Sequence, residues 1–116
     1  MAKRGVFSLV SVVVVLCAWF CVSGVPVSKA GGDDAVKLYM THCKACHGEK
    51  GKPTELGIGL EARDLSDADW QSKVTDEKII KQIEDGTPEK MMPFKAKLSK
   101  EDINSLVPVV RSFGKK

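Results

Sequence analysis

Three segments of the chain carry apolar residues at the spacing of an amphipathic helix. They run from Asp33 or Asp34 to Cys43, from Thr75 to Gly86, and from Ser99 to Phe113. Residues 48–69 are rich in glycine and charge, which predicts a loop apart from a helical turn at 67–70. No run of alternating β-branched residues follows residue 30. The pattern therefore predicts a small all-α domain.

Residues with capping chemistry lie at the ends of these segments. Thr75 is placed to cap the second helix, and Gly86 is placed to end it. Ser99 and Asp102 match a capping box at the start of the third helix. Pro108 falls inside that helix, where its missing N–H removes a backbone hydrogen bond. A kink is therefore expected there.

The first thirty residues have the pattern of an export signal. Lys3 and Arg4 precede an apolar run from Val6 to Val22, and small residues flank Lys29. This order is typical of a secretory signal peptide, here cleaved after Ala30, which leaves a domain of residues 31–116. We therefore expect a periplasmic or otherwise exported protein. The alternative is an uncleaved membrane anchor at residues 6–25, the one case in which a membrane would be a partner.

Removal of the signal peptide balances the charge of the chain. Residues 31–116 contain 15 basic and 15 acidic side chains. Binding to nucleic acid requires a basic surface that replaces the counterions of phosphate, so nucleic acid is not an expected partner. We expect a monomer.

Residues 43–47 read Cys-Lys-Ala-Cys-His, the pattern of covalent haem attachment. Each thiol can add to one haem vinyl group, and His47 then lies beneath the iron. Thiol exchange and zinc binding also use paired cysteines. However, no cysteine or histidine follows His47, so only His42 remains as a further zinc ligand, and no βαβ pattern surrounds the motif. The motif predicts one haem c attached to Cys43 and Cys46.

Two methionines stand directly before a Pro-Phe pair. A thioether is a suitable sixth ligand for haem iron, and Pro93 keeps the backbone of Met92 extended. The alternative is that Met91 and Met92 both fill gaps in the core.

The loop between the first two helices is expected to cover the haem on its histidine side. Its apolar residues are Leu56, Ile58, Leu60 and Leu65. A backbone carbonyl of this loop is expected to accept the second ring proton of His47. Trp70 is expected to be buried, and its indole N–H is a candidate donor to a haem propionate.

Over residues 31–116 the chain resembles the class I, monohaem cytochrome c family, which pairs an early Cys-x-x-Cys-His with a late methionine. The resemblance implies a domain of three to five helices wrapped around one covalently attached haem. It implies His47 as the fifth iron ligand and Met92 as the sixth, with Met91 as the alternative. Tyr39, four residues before Cys43, also fits the family pattern.

The family's last helix crosses its first, and two residues here depart from the usual crossing. Val109 stands where these cytochromes usually carry an aromatic residue, and Ala35 replaces a glycine. We therefore expect a looser or shifted contact between the two helices.

With two protein ligands on the iron, the resemblance implies an electron carrier rather than an enzyme. Its partners would be other redox proteins, and six lysines are placed to form a positive rim for acidic partners: Lys44, Lys50, Lys52, Lys90, Lys95 and Lys97. One alternative is a haem-based peroxidase or gas sensor in which Met92 is labile. Another is the electron-accepting subunit of a larger periplasmic oxidoreductase.

Overall fold

The structure, a computed structural model, describes residues 32–115. The predicted signal peptide at residues 1–30, its cleavage after Ala30 and the alternative anchor at residues 6–25 lie outside the described residues. Between residues 32 and 115, no helix combines the length and the apolar character that a membrane span requires.

The described part of the chain folds into six helices. They are α1 Gly32–His42, α2 Lys44–His47, α3 Glu55–Gly59, α4 Ala68–Lys73, α5 Asp76–Asp85 and α6 Lys100–Ser112. Over the same residues, β pairing is confined to one isolated antiparallel bridge, between Thr87 and Met91. The predicted all-α fold is confirmed, with six helices in residues 32–115 instead of three to five.

The first predicted helix is divided into α1 and α2. The break falls at Cys43, between the end of α1 at His42 and the start of α2 at Lys44. The prediction that Asp33 or Asp34 caps the first helix is wrong, because α1 already begins at Gly32. Both aspartates lie in its first turn, where a carboxylate still interacts favourably with the positive end of the helix dipole.

The loop predicted over residues 48–69 contains an additional short helix, α3. Thr54 caps it by accepting a hydrogen bond from the Gly57 amide at 3.1 Å. The Thr54 hydroxyl also donates to the Ala45 carbonyl at 2.6 Å, and the Thr54 amide donates to the Cys46 carbonyl at 3.0 Å. Two glycines in five residues made α3 hard to predict, because glycine is unfavourable in a helix. The contacts of Thr54 hold α3 against α2.

The predicted caps of the later helices are present. Thr75 Oγ1 accepts from the Lys78 amide at 3.3 Å at the start of α5. At the start of α6, Ser99 Oγ accepts from the Asp102 amide at 3.0 Å, and the Asp102 carboxylate accepts from the Ser99 amide at 3.2 Å. α6 continues through the exposed Pro108, and a kink there stays a prediction.

The core is formed mainly where α1 and α6 pack against each other, with α5 on a second side of α6. The predicted pairing of the first and last helices is therefore confirmed. Ala35 and Val109, the two departures from the usual crossing, are both buried in this core. Tyr39, Ile103 and Leu106 are its most completely buried side chains. Burying one aliphatic side chain such as Ile103 or Leu106 contributes about 1.5–3 kcal/mol, so these contacts hold α1, and with it Cys43, in place.

Candidate haem site

The Cys-x-x-Cys-His motif lies at the junction of α1 and α2. The amides of Cys46 and His47 both donate to the Cys43 carbonyl, at 3.2 and 2.9 Å. This turn brings both thiols and the imidazole to the wall of one cavity of about 650 Å³. The three residues predicted from the motif are therefore held together by local backbone hydrogen bonds.

His47 has a fixed ring orientation. Its Nδ1 lies 3.1 Å from the carbonyl oxygen of Arg63, so Nδ1–H donates to that oxygen and Nε2 is left as the metal-binding nitrogen. Burial lowers the pKa of His47, and the hydrogen bond to Arg63 opposes this effect in part. The neutral imidazole that a metal requires is therefore favoured. The carbonyl expected in the loop is that of Arg63.

The environment of Cys43 does not favour thiol exchange. Burial raises the pKa of Cys43 to about 11, and the neighbouring Cys46 adds to this effect. Cys43 is therefore a neutral thiol at pH 7. Thiol exchange needs a thiolate, which reactive sites obtain by lowering the pKa.

The cavity lies in the middle of the core. Buried apolar side chains form its walls, among them Leu65, Ile79, Ile83, Phe94, Leu106 and Val110. Its volume falls within the range of about 300–1,000 Å³ typical of cofactor sites. Apolar walls, two thiols and one oriented imidazole fit a haem attached through the motif.

Both methionines line the same cavity, and their backbone is held in a closed loop. The Thr87 amide donates to the Met91 carbonyl at 2.7 Å, and the Met91 amide donates to the Thr87 carbonyl at 2.9 Å. Gly86 makes this loop possible, because its φ is +62° and a Cβ there would lie 2.2 Å from the Met91 oxygen. The methionines therefore project from a defined turn after α5.

The two methionines differ in their surroundings. Met91 is partly buried against the core, and its Sδ lies 3.5 Å from Gln82 Nε2. The side chain of Met92 is 56% exposed, with Sδ 3.5 Å from Lys97 Nζ. Met91 would lose packing contacts with the core on binding a metal, whereas Met92 would mainly lose contact with water.

Comparison with known proteins identifies the family. Residues 30–108 match the family described as cytochrome c oxidase, cbb3-type, subunit III. The chain belongs to this family of c-type cytochromes. A solved structure, the KustC0563 c-type cytochrome, is 60% identical; the match covers 70% of this chain and 98% of that chain, with a TM-score of 0.69. A variant of Kustc0563 with one tyrosine changed to phenylalanine is also 60% identical. The match covers 69% of this chain and 98% of that chain, with a TM-score of 0.67. A search of curated proteins gave no match.

Membership of the c-type cytochromes supports a haem electron-transfer role. Leu56, Leu60 and Leu65 line the cavity of the cytochrome, and their position on the histidine side of the haem stays a prediction. The prediction for Ile58 is wrong, because its side chain is 67% exposed and does not line the cavity. Trp70 is partly buried and lines the cavity, and its bond to a propionate stays a prediction.

Several residues that shape the site of the cytochrome carry little signal in the sequence. A Cβ on Gly57 would lie 2.0 Å from the Cys46 carbonyl oxygen, so only glycine allows α3 to approach the haem motif. His42 lines the cavity and meets Phe94 edge-on, with ring centroids 5.8 Å apart. The spacing of Thr54 and Gly57, which suits an N-cap and its donor, was the one signal for α3.

The lysines of the predicted rim are only partly free. Lys44 forms an ion pair with Glu49, Lys90 with Glu61, and Lys95 with Asp85. Three of the six rim lysines thus carry a carboxylate partner. Of these pairs, Lys90 and Glu61 line the cavity.

Proposed function

We propose that this cytochrome carries single electrons between redox proteins outside the cytoplasm. In this proposal Cys43 and Cys46 hold one haem covalently, and His47 and Met92 ligate its iron. The observation that supports the proposal is that both thiols, the imidazole fixed by Arg63 and the Met92 side chain line one apolar cavity. When bound, the haem supplies an iron that gains and loses one electron.

The protein groups in this proposal have distinct roles. His47 donates Nε2, and its bond to Arg63 keeps the ring oriented in both oxidation states. Met92 donates a thioether, which favours ferrous iron over ferric iron and so raises the potential. With His47 and Met92 as its ligands, the iron would have no free site for a substrate. The apolar side chains of the cavity would limit the access of water to it.

The optical spectrum of the reduced holoprotein, recorded before and after carbon monoxide is added, tests this proposal. We expect low-spin c-type bands that the gas does not change. Met92→Ala should open one axial position, so the reduced variant should bind carbon monoxide. Met91→Ala is the matched control and should behave like the wild type.

Each opposite result has a defined meaning. A wild type that binds carbon monoxide would contradict closed ligation and favour a peroxidase or gas sensor with a labile methionine. If Met91→Ala binds the gas and Met92→Ala does not, the sixth ligand is Met91. Intact mass measurement of the exported protein tests cleavage after Ala30.

A second candidate is the electron-accepting subunit of a larger periplasmic oxidoreductase. The family match supports it, because the family's description is that of an oxidase subunit. Gentle purification from the native source tests this candidate. A stable complex containing catalytic subunits would favour it, whereas a monomer would favour the diffusing carrier.

A further inference from the structure

Gln71 on α4 does not line the cavity, yet its side chain amide makes three hydrogen bonds. Its Nε2 donates to the carbonyls of Leu65 at 2.7 Å and Val110 at 2.8 Å. Its Oε1 accepts from Arg111 at 3.1 Å. This orientation of the amide is required, because two carbonyls need donors and a guanidinium needs an acceptor. Gln71 therefore joins α4 to α6 and to the loop before α4.

The Leu65 end of this network leads to His47. The Leu65 amide donates to the Gly51 carbonyl at 2.8 Å, so both backbone polar groups of Leu65 are paired. The Leu65 side chain is buried as well. Only Asp64 separates Leu65 from Arg63, whose carbonyl accepts the Nδ1 proton of His47. Since peptide planes are rigid, the placement of Leu65 restricts where the Arg63 carbonyl points.

We propose that Gln71 is a positioning residue for His47, which acts by fixing Leu65 and thereby the Arg63 carbonyl. The inference rests on the proposed function, in which His47 ligates the iron. A strong hydrogen bond at Nδ1 makes the imidazole a more basic ligand, which favours ferric iron. When this hydrogen bond is weakened, the ferrous state becomes more stable relative to the ferric state, and the midpoint potential rises.

The test compares two variants of the holoprotein. Gln71→Met keeps the length of the side chain and removes the donors to Leu65 and Val110. Ser99→Ala removes the side chain that caps α6, because Ser99 Oγ accepts a hydrogen bond from the Asp102 amide. This variant therefore weakens the fold outside the hydrogen bonds of Gln71. The two readouts are the midpoint potential and the solvent-exchange rate of the His47 Nδ1 proton, measured by NMR in the diamagnetic ferrous state.

For Gln71→Met we expect the ferrous-to-ferric ratio at a fixed applied potential to rise about two- to fivefold, since outer hydrogen bonds of this kind tune metal ligands. The Nδ1 proton should also exchange faster with solvent. Ser99→Ala should leave both quantities at their wild-type values. If Gln71 had a purely structural role, Gln71→Met and Ser99→Ala would both be less stable than the wild type. Both would then keep the wild-type midpoint potential.

The inference is overturned if Gln71→Met keeps the wild-type potential, or if both variants shift it equally. If Gln71→Met yields no holoprotein, Gln71→Leu takes its place, because it is also uncharged and loses both Nε2 donors. A wild type without a low-spin haem spectrum would contradict the proposed function itself. Failure of the inference is thus distinguishable from failure of that function.

Discussion

Tyr39 is the residue that most directly links the helical core to the haem motif. Its side chain is 2% exposed, and its hydroxyl donates to the carbonyl of Gly48, the residue after the motif, at 2.7 Å. Its ring packs on Phe113 with centroids 4.9 Å apart. Burial raises the pKa of Tyr39 above its ordinary value, and the nearby Cys43 adds to this effect. The phenol therefore acts as a buried neutral donor.

Tyr39→Phe should lower the free energy of unfolding of the holoprotein by about 1 kcal/mol at pH 7, because the Gly48 carbonyl loses its donor. The difference from the wild type should shrink as the pH rises above about 10. At that pH the unfolded wild type releases the tyrosine proton and the folded protein keeps it, so alkali favours unfolding of the wild type. Denaturant titrations at neutral and alkaline pH measure both effects. A difference that does not change with pH would show that the phenol is not desolvated.

For single residues, the sequence is informative where haem attachment requires particular side chains. Cys43, Cys46 and His47 were predicted from one motif, because haem attachment needs two thiols and a neighbouring imidazole. The Arg63 carbonyl was not predicted as the partner of His47, because every residue of the loop offers a backbone oxygen. The outward position of Ile58 was also missed, because α3 had not been predicted.

Among the elements, α3 shows how a short helix can depend on one close contact. It contains two glycines, and neither has a positive φ. A Cβ on Gly57 would lie 2.0 Å from the Cys46 carbonyl oxygen, whereas a Cβ on Gly59 would have no atom within 4 Å. The two positions therefore form a matched pair in one helix.

Gly57→Ala should destabilise the holoprotein by about 1–3 kcal/mol, because the backbone of α3 must move away from α2. Gly59→Ala should be neutral or stabilise it by up to about 1 kcal/mol, because alanine restricts the unfolded chain. Thermal unfolding of both holoproteins measures the difference. Equal effects of the two substitutions would contradict the close packing of α3 on the haem motif.

Helices α5 and α6 were predictable because each carries its own start signal. Thr75 and the pair of Ser99 and Asp102 satisfy backbone amides locally, so these ends needed no tertiary information. No signal in the sequence marks the break at Cys43. The helix after Thr54 depends on contacts with α2. Such contacts outweigh local propensity and leave little trace in the hydrophobic pattern.

At the scale of the whole molecule, the balance of charge bears on how partners are recognised. Residues 31–116 hold equal numbers of basic and acidic side chains, and half of the rim lysines are paired. Surface ion pairs are weak, but each one cancels a positive charge of the predicted rim. We therefore expect electrostatic steering by the wild-type rim to be modest.

Glu61→Gln should strengthen this steering, because it releases Lys90 from its ion pair. Oxidation of the reduced protein by ferricyanide, an anion, should become faster at low salt and fall more steeply with ionic strength than in the wild type. Glu101→Gln, at the start of α6, makes the same change in net charge away from the cavity and is the control. If both variants have the same salt dependence, the charge at the rim has no local effect.

The position of the cavity has a consequence for how the protein is made. Its walls include Leu65, Phe94, Leu106 and Val110, which are also core residues, so we expect the packing of the domain to be coupled to its cofactor. A small domain has little other buried surface to stabilise it. We therefore expect the haem to be attached while the exported chain is still open, with folding following as the last step of biogenesis. Attachment before folding would also make the covalent bond a checkpoint, since a chain that misses its haem would stay open to proteolysis.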